Sequence, residues 1–159
     1  MIHTIHKGTH KPLRMPKLCT SKDIRFRVRF NETARYDIGF LDQEDWNKLF
    51  GIGYFPHHQL DSVRVAWRYN IVTDKIELGA YWYNSGVRFD RYMTSIDIGE
   101  DVLIGLHRRS EGHHYIMMGS ICLKHVQVSS DHIGFWLLPY FGGNQTAPHD
   151  IKIEMRRVR

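Results

Sequence analysis

No apolar run in this chain approaches the ~18 residues that cross a bilayer as a helix, which excludes a helical membrane span. The cysteines are few: Cys19 and Cys122 stand alone. They could pair, but isolated cysteines read more readily as buried thiols in a reducing compartment. The opening MIHTIHKGTHKPLRMPKL lacks the apolar segment of a secretory leader, so a cytoplasmic protein is expected. There is no block of lysine and arginine, which argues against a duplex nucleic-acid partner. Also missing are the HxH, HExxH and CxxC spacings of metal sites. The G-x-S-x-G nucleophile elbow and the long Walker pattern are absent too. No metal and no cofactor is therefore expected.

What is present is a globular mixture, 42% apolar and 25% charged residues. The 159 residues suffice for one domain, 1–159, with a proper core. The formal charge is +5, and 11 histidines can add to it below neutral pH. That balance favours small anionic partners such as phosphates or uronates.

Alternation dominates the patterning. IRFRVRF, residues 24–30, strictly alternates apolar residues with arginine, the period of a half-buried strand. Further strands are predicted at 2–6, 34–40, 62–70, 75–83, 87–94, 102–108, 113–119, 121–127, 133–138 and 150–157, most of them separated by turn residues. Residues 7–22 read as a loop. Residues 42–50, DQEDWNKLF, are the one helical candidate: Asp42 can cap, acids fill the first turn, and Gly51 follows. About ten strands and one short helix define an all-β fold, two antiparallel sheets packed as a sandwich or jelly roll.

Four segments, DWNKLFGIG, HHQLDSVRVAWRY, ELGAYWYNSG and PYFGGNQTAPHDIKI, resemble a group of small β-sandwich proteins of bacterial and phage genomes. The closing PYFGG…APHDIKI is also similar to the last strands of concanavalin A-like lectin and glucanase jelly rolls. The ExDxxE carboxylate motif of those glucanases is missing, and the resemblance brings no site residues with it.

The strands at 62–70 and 75–83 carry the site expectation. Val63, Val65, Trp67, Ile76, Leu78, Ala80 and Trp82 alternate onto a core face. The opposite face carries Arg64, Ala66, Arg68, Glu77, Gly79, Tyr81 and Tyr83. Ala66 and Gly79 make a low floor, with arginines and tyrosines around it. Tyrosine offers a stacking ring and arginine a planar fork for phosphate or carboxylate. On a concave jelly-roll sheet this is a ligand trough; otherwise it is a solvated face covered by long side chains. His57, His58, His107, Arg108 and Asn144 are candidate rim residues. His58 with His149 or His114 could cleave a phosphodiester without metal, one imidazole as base and one as acid. Alternatively, rim histidines only hydrogen-bond a ligand.

Three other features stay open. Arg25, Arg27 and Arg29 either extend the basic surface or form a charged edge that resists aggregation. GFWLLPYF, apolar on both faces, is a buried central strand or a subunit interface. FGGN, 141–144, is a tight turn whose N–H groups could also meet an anion.

Three functions follow from these residues. The first is binding of a small anionic, nucleotide-derived messenger, which the phage resemblance would make a sequestration of a host signal in the host cytoplasm. The second is a metal-independent phosphodiesterase acting on the same ligand class. The third is lectin-like binding of an acidic carbohydrate, which the jelly-roll resemblance implies. A homo-oligomer is compatible with all three.

Overall fold

The computed structural model describes residues 1–11, 17–129 and 133–158, and the structural statements below concern these. Twelve strands run β1 Ile2–Ile5, β2 Leu18–Cys19, β3 Asp23–Phe30, β4 Asn47–Tyr54, β5 Ser62–Asn70, β6 Lys75–Asn84, β7 Val87–Asp97, β8 Asp101–Arg108, β9 His113–Met118, β10 Ile121–Gln127, β11 Gly134–Leu137 and β12 Ile151–Val158. They form two six-stranded sheets, ordered β1-β12-β3-β8-β9-β10 and β2-β11-β4-β5-β6-β7. Every strand pairing is antiparallel. The expected two-sheet antiparallel sandwich is therefore the fold. No helix is long and apolar enough to cross a membrane.

The alternation in β3 works as the sequence implies. Ile24, Val28 and Phe30 are buried between the sheets, while Arg25, Arg27 and Arg29 take the outward positions. Val63, Val65 and Trp67 of β5 and Ile76, Leu78 and Ala80 of β6 meet them from the second sheet. Trp67 is fully buried, with Phe30 at 5.0 Å and Phe141 at 6.5 Å between ring centres. Losing a core aromatic of this size costs about 3–5 kcal/mol.

Three expectations need correction. The helix expected over 42–50 is a single turn, α1 Phe40–Gln43, and the end of that segment, residues 47–50, belongs to β4. All eight residues of β4 are buried, so the strand shows no period of two in sequence. The strand expected over 34–40 is absent. A 3-10 turn, Glu32–Ala34, is capped by Asn31, whose Oδ1 accepts from the Thr33 N–H at 3.0 Å. Tyr36 then turns into the core, where its hydroxyl accepts from Asn47 Nδ2 at 2.8 Å. The loop 7–22 includes β2, which pairs with β11; its residues 12–16 lie outside the described residues.

The GFWLLPYF segment is neither a central strand nor fully buried. β11 lies second from the edge, between β2 and β4, and three of its four residues are half-buried. Cys19 is buried and Cys122 exposed, both as free thiols; burial pushes the Cys19 thiol up.

Candidate functional site

The outer face of the second sheet is set by cross-strand register. Gly51 of β4, Arg64 of β5, Tyr81 of β6 and Asp90 of β7 stand in one row. Ala66, Gly79 and Tyr92 form the next row. Gly51 is required here, because the Val63 carbonyl oxygen and the Arg64 backbone and side chain crowd the place of a Cβ. Arg64 Cγ is 2.8 Å from the place a Cβ on residue 51 would occupy.

A trough of about 660 Å³ lies over this face. Arg64, Tyr81 and Tyr83 rise from the sheet. His58 and Gln59 come from the loop before β5, and Phe135 and Tyr140 from β11 and the chain beyond it. Lys48 of β4 and Asn144 close the other side.

The floor carries two buried cations. Arg64 is 7% exposed and Lys48 8%. Lys48 Nζ donates to the carbonyls of Trp46 at 2.7 Å and Gly142 at 3.2 Å, and sits 4.5 Å from the Tyr81 ring centre. The Arg64 guanidinium is 6.0 Å from the same ring, and its Nε has no hydrogen-bond partner. Among the described residues, no carboxylate forms an ion pair with either cation. Buried cations without a counter-ion are costly and rare.

The titration behaviour follows. Burial pushes the Arg64 guanidinium down from 12.5 to about 10, with Tyr81, Tyr83 and Tyr140 acting in the opposite direction. Burial, and then the Arg64 charge, lower Lys48 to about 8. Burial, then Arg64, lower His58 to about 4, so its imidazole is neutral at pH 7. Burial and Tyr83 raise Tyr81 to about 12. The trough floor therefore holds two positive charges beside a neutral imidazole and the neutral Tyr81 phenol, with Lys11 as a further, exposed lysine in the lining.

The low floor expected at Ala66 and Gly79 is not open. Trp46 folds over it, its ring atoms 2.7–2.9 Å from where a Gly79 Cβ would stand, and its Nε1 donates to Asp90 at 3.1 Å. Trp46, Ala66 and Tyr81 form a small apolar cluster outside the main core. Beyond this plug, Arg68 donates from Nε to Glu77 at 2.6 Å and pairs with Glu44 at 2.7 Å, and its guanidinium lies 4.4 Å from the Trp46 ring. Arg68 and Glu77 neutralise each other instead of facing the trough.

Of the residues singled out from sequence, the structure thus brings Arg64, Tyr81, Tyr83, His58 and Asn144 together. His57 is exposed in its loop and is not part of the lining. His107 lies on the first sheet, its Nδ1 2.7 Å from Asp23 Oδ1. Arg108 turns inward at the end of β8, beside Gly134. His114 is fully buried, with Nε2 2.6 Å from the Tyr54 hydroxyl and Nδ1 donating to the Gly112 carbonyl at 2.8 Å. His149 Nε2 donates to the Thr33 carbonyl at 2.9 Å. The two-histidine cleavage arrangement is not assembled, because strand register sends His114 into the core and the loop before β12 engages His149 elsewhere. Lys48, Phe135 and Tyr140 were not anticipated. Lys48 fell in the supposed helix; its signal is a lone lysine in an otherwise apolar run, NKLFGIGY.

Comparison with known proteins places the fold without naming a family. No protein-family model and no curated protein matches the sequence, so the resemblance to bacterial and phage proteins finds no counterpart there. Among solved structures, the alginate lyase from Alteromonas sp. 272 superposes with a TM-score of 0.50 at 8% identity, over 86% of this chain and 69% of that one. The binding domain of Paraclostridial Mosquitocidal Protein 1 gives a TM-score of 0.47 at 10% identity, over 93% and 36%. The carbohydrate-binding module CBM66 from Bacillus subtilis gives 0.39 at 7%, over 98% and 91%. At 8% identity the likeness to the alginate lyase is one of fold alone: a β-sandwich of the jelly-roll kind.

Proposed function

We propose that the trough binds an acidic carbohydrate, with a uronate carboxylate on Arg64 and Lys48 and the sugar ring against Tyr83 and Phe135. One observation carries this reading: two buried cations, without a carboxylate partner among the described residues, line an open trough of about 660 Å³. An anionic ligand supplies the missing counter-charge, and charge-assisted hydrogen bonds to a desolvated arginine are strong ones. Tyrosine hydroxyls and the neutral His58 give hydrogen bonds to sugar hydroxyls. The fold likeness to an alginate lyase agrees with this, since alginate is itself an acidic polysaccharide.

A nucleotide needs a free aromatic face for its base. Here Tyr140 is stacked on His10 at 5.0 Å, and Lys48 covers Tyr81. Tyr83 and Phe135 are the rings left for stacking, and the acidic-sugar reading is preferred on the fold likeness to an alginate lyase.

Thermal unfolding in the presence of oligouronates, matched neutral oligosaccharides, and cyclic and linear nucleotides tests the choice. A ligand at 100 times its Kd adds ~2.7 kcal/mol of stability. Oligouronates should raise Tm, and neutral sugars should not. A rise with nucleotides alone would overturn the proposal.

A further inference from the structure

A second cavity lies between the sheets, at the open end of the sandwich. Inward positions of β3 and β12 are buried along most of their length: Ile24, Val28, Ile151, Ile153 and Met155. At the end of the sandwich this breaks down. Phe26 and Arg157 face each other in register on the inward side, yet Phe26 is only half-buried and Arg157 is exposed. Trp136 of β11, opposite them, is also half-buried.

Phe26, Trp136, Phe50 and Met155 enclose a cavity of about 560 Å³. Phe26 stands 4.9 Å from Phe50 and 6.3 Å from Trp136, ring centre to ring centre. The volume falls within the roughly 300–1,000 Å³ of small-molecule sites.

The mouth is cationic. The Arg157 guanidinium lies 5.1 Å from the Trp136 ring and donates to Ser21 Oγ at 2.8 Å. Lys17 and Arg156 stand beside it. No carboxylate among the described residues forms an ion pair with any of the three. An apolar body with an unpaired positive rim matches a ligand with an alkyl chain and a single anionic head.

We propose that this cavity binds a single-chain anionic amphiphile of the fatty-acid type, its chain against Phe26, Phe50, Trp136 and Met155 and its carboxylate at Arg157 and Lys17. The site is separate from the trough and does not depend on what the trough binds. Residues 136–139 form the shared wall, with the trough on one side and this cavity on the other.

The test is calorimetric titration with octanoate, decanoate and dodecanoate below their micelle-forming concentrations, with decanol as the neutral probe. Binding should be one to one and tighten roughly fourfold for each added methylene. Decanoate should bind more tightly than decanol. Arg157 and Lys17 are both exposed, so the R157Q/K17Q double variant should fold cooperatively, with only the small drop in Tm that losing the Trp136 and Ser21 contacts brings. It should lose the preference for decanoate and keep the methylene increment. Absence of binding, affinity independent of chain length, or an undiminished preference for decanoate in the double variant would each overturn the proposal.

Discussion

Replacing Arg64 with methionine should leave the protein more stable and unresponsive to anions. The guanidinium is 7% exposed, unpaired by any described carboxylate, and lowered from 12.5 to about 10 by burial. At ~1.4 kcal/mol per pH unit, keeping that charge costs the folded state roughly 3 kcal/mol. Methionine preserves an unbranched apolar stem across Gly51 and removes the charge. It gives up the contact with the Tyr81 ring, worth about 0.5–1 kcal/mol. The balance is a gain of roughly 2 kcal/mol, or about 4–8 °C in Tm for a chain of this size. Urea unfolding measures it directly: the midpoint should rise while the slope stays constant. The same curves recorded with an oligouronate should shift for the parent protein and not for R64M. A loss of 1 kcal/mol or more in R64M without ligand would refute the reasoning, because it would make Arg64 a structural strut.

Lys48 supplies a pH signature. Its folded-state value, about 8, lies below the unfolded 10.5, so the charged form is the destabilised one. Stability should rise with pH from about 8 upward, by roughly 2–3 kcal/mol at pH 10, and K48M should remove the rise. Oligouronate affinity should fall over the same interval as the lysine loses its proton. His58, lowered to about 4, stays neutral from pH 5 to 7, so binding should not change through its titration there. G79A should destabilise by about 1–3 kcal/mol, since the new methyl meets the Trp46 ring; urea midpoints read this. H149A should leave oligouronate affinity unchanged, because that imidazole bonds the Thr33 carbonyl and is not part of the trough lining; titration of the variant checks it.

Much of the architecture was legible from alternation. In β3, β5 and β6 one face packs into the common core with apolar residues while the other carries arginines, tyrosines or small residues, so period two survives in the sequence even where Arg64, Ala66 and Tyr81 are themselves covered. It failed where both faces are covered. β4 is buried throughout, and its acidic approach, DQED, imitates a helix start; only one turn forms there before Asn47 enters the sheet. GFWLLPYF misled for a related reason. Both of its sides are apolar because Phe135 lines the trough while the Trp136 ring stands against Phe26 and Arg157 at the cavity between the sheets.

The pairing of Arg64 with Tyr81 and Ser62 with Tyr83 was implicit in two neighbouring alternating strands. The choice between a filled and an open region of that face was not. Local sequence cannot say that Trp46 will fold back over Gly79, or that Glu44 will reach Arg68 and cancel it. Nor can it say that His114 will be drawn inward to the Tyr54 hydroxyl.

By itself, then, the sequence determined which residues face the core in the alternating strands, because burial of one strand face imposes a local period on the chain. It also determined that the protein carries excess positive charge. Only the tertiary structure decided which of those charges lack partners. Pairing depends on side chains from β4, from the loop before β5 and from the chain after β11 arriving at one place, and on Asp90 and Glu77 being engaged by Trp46 and Arg68.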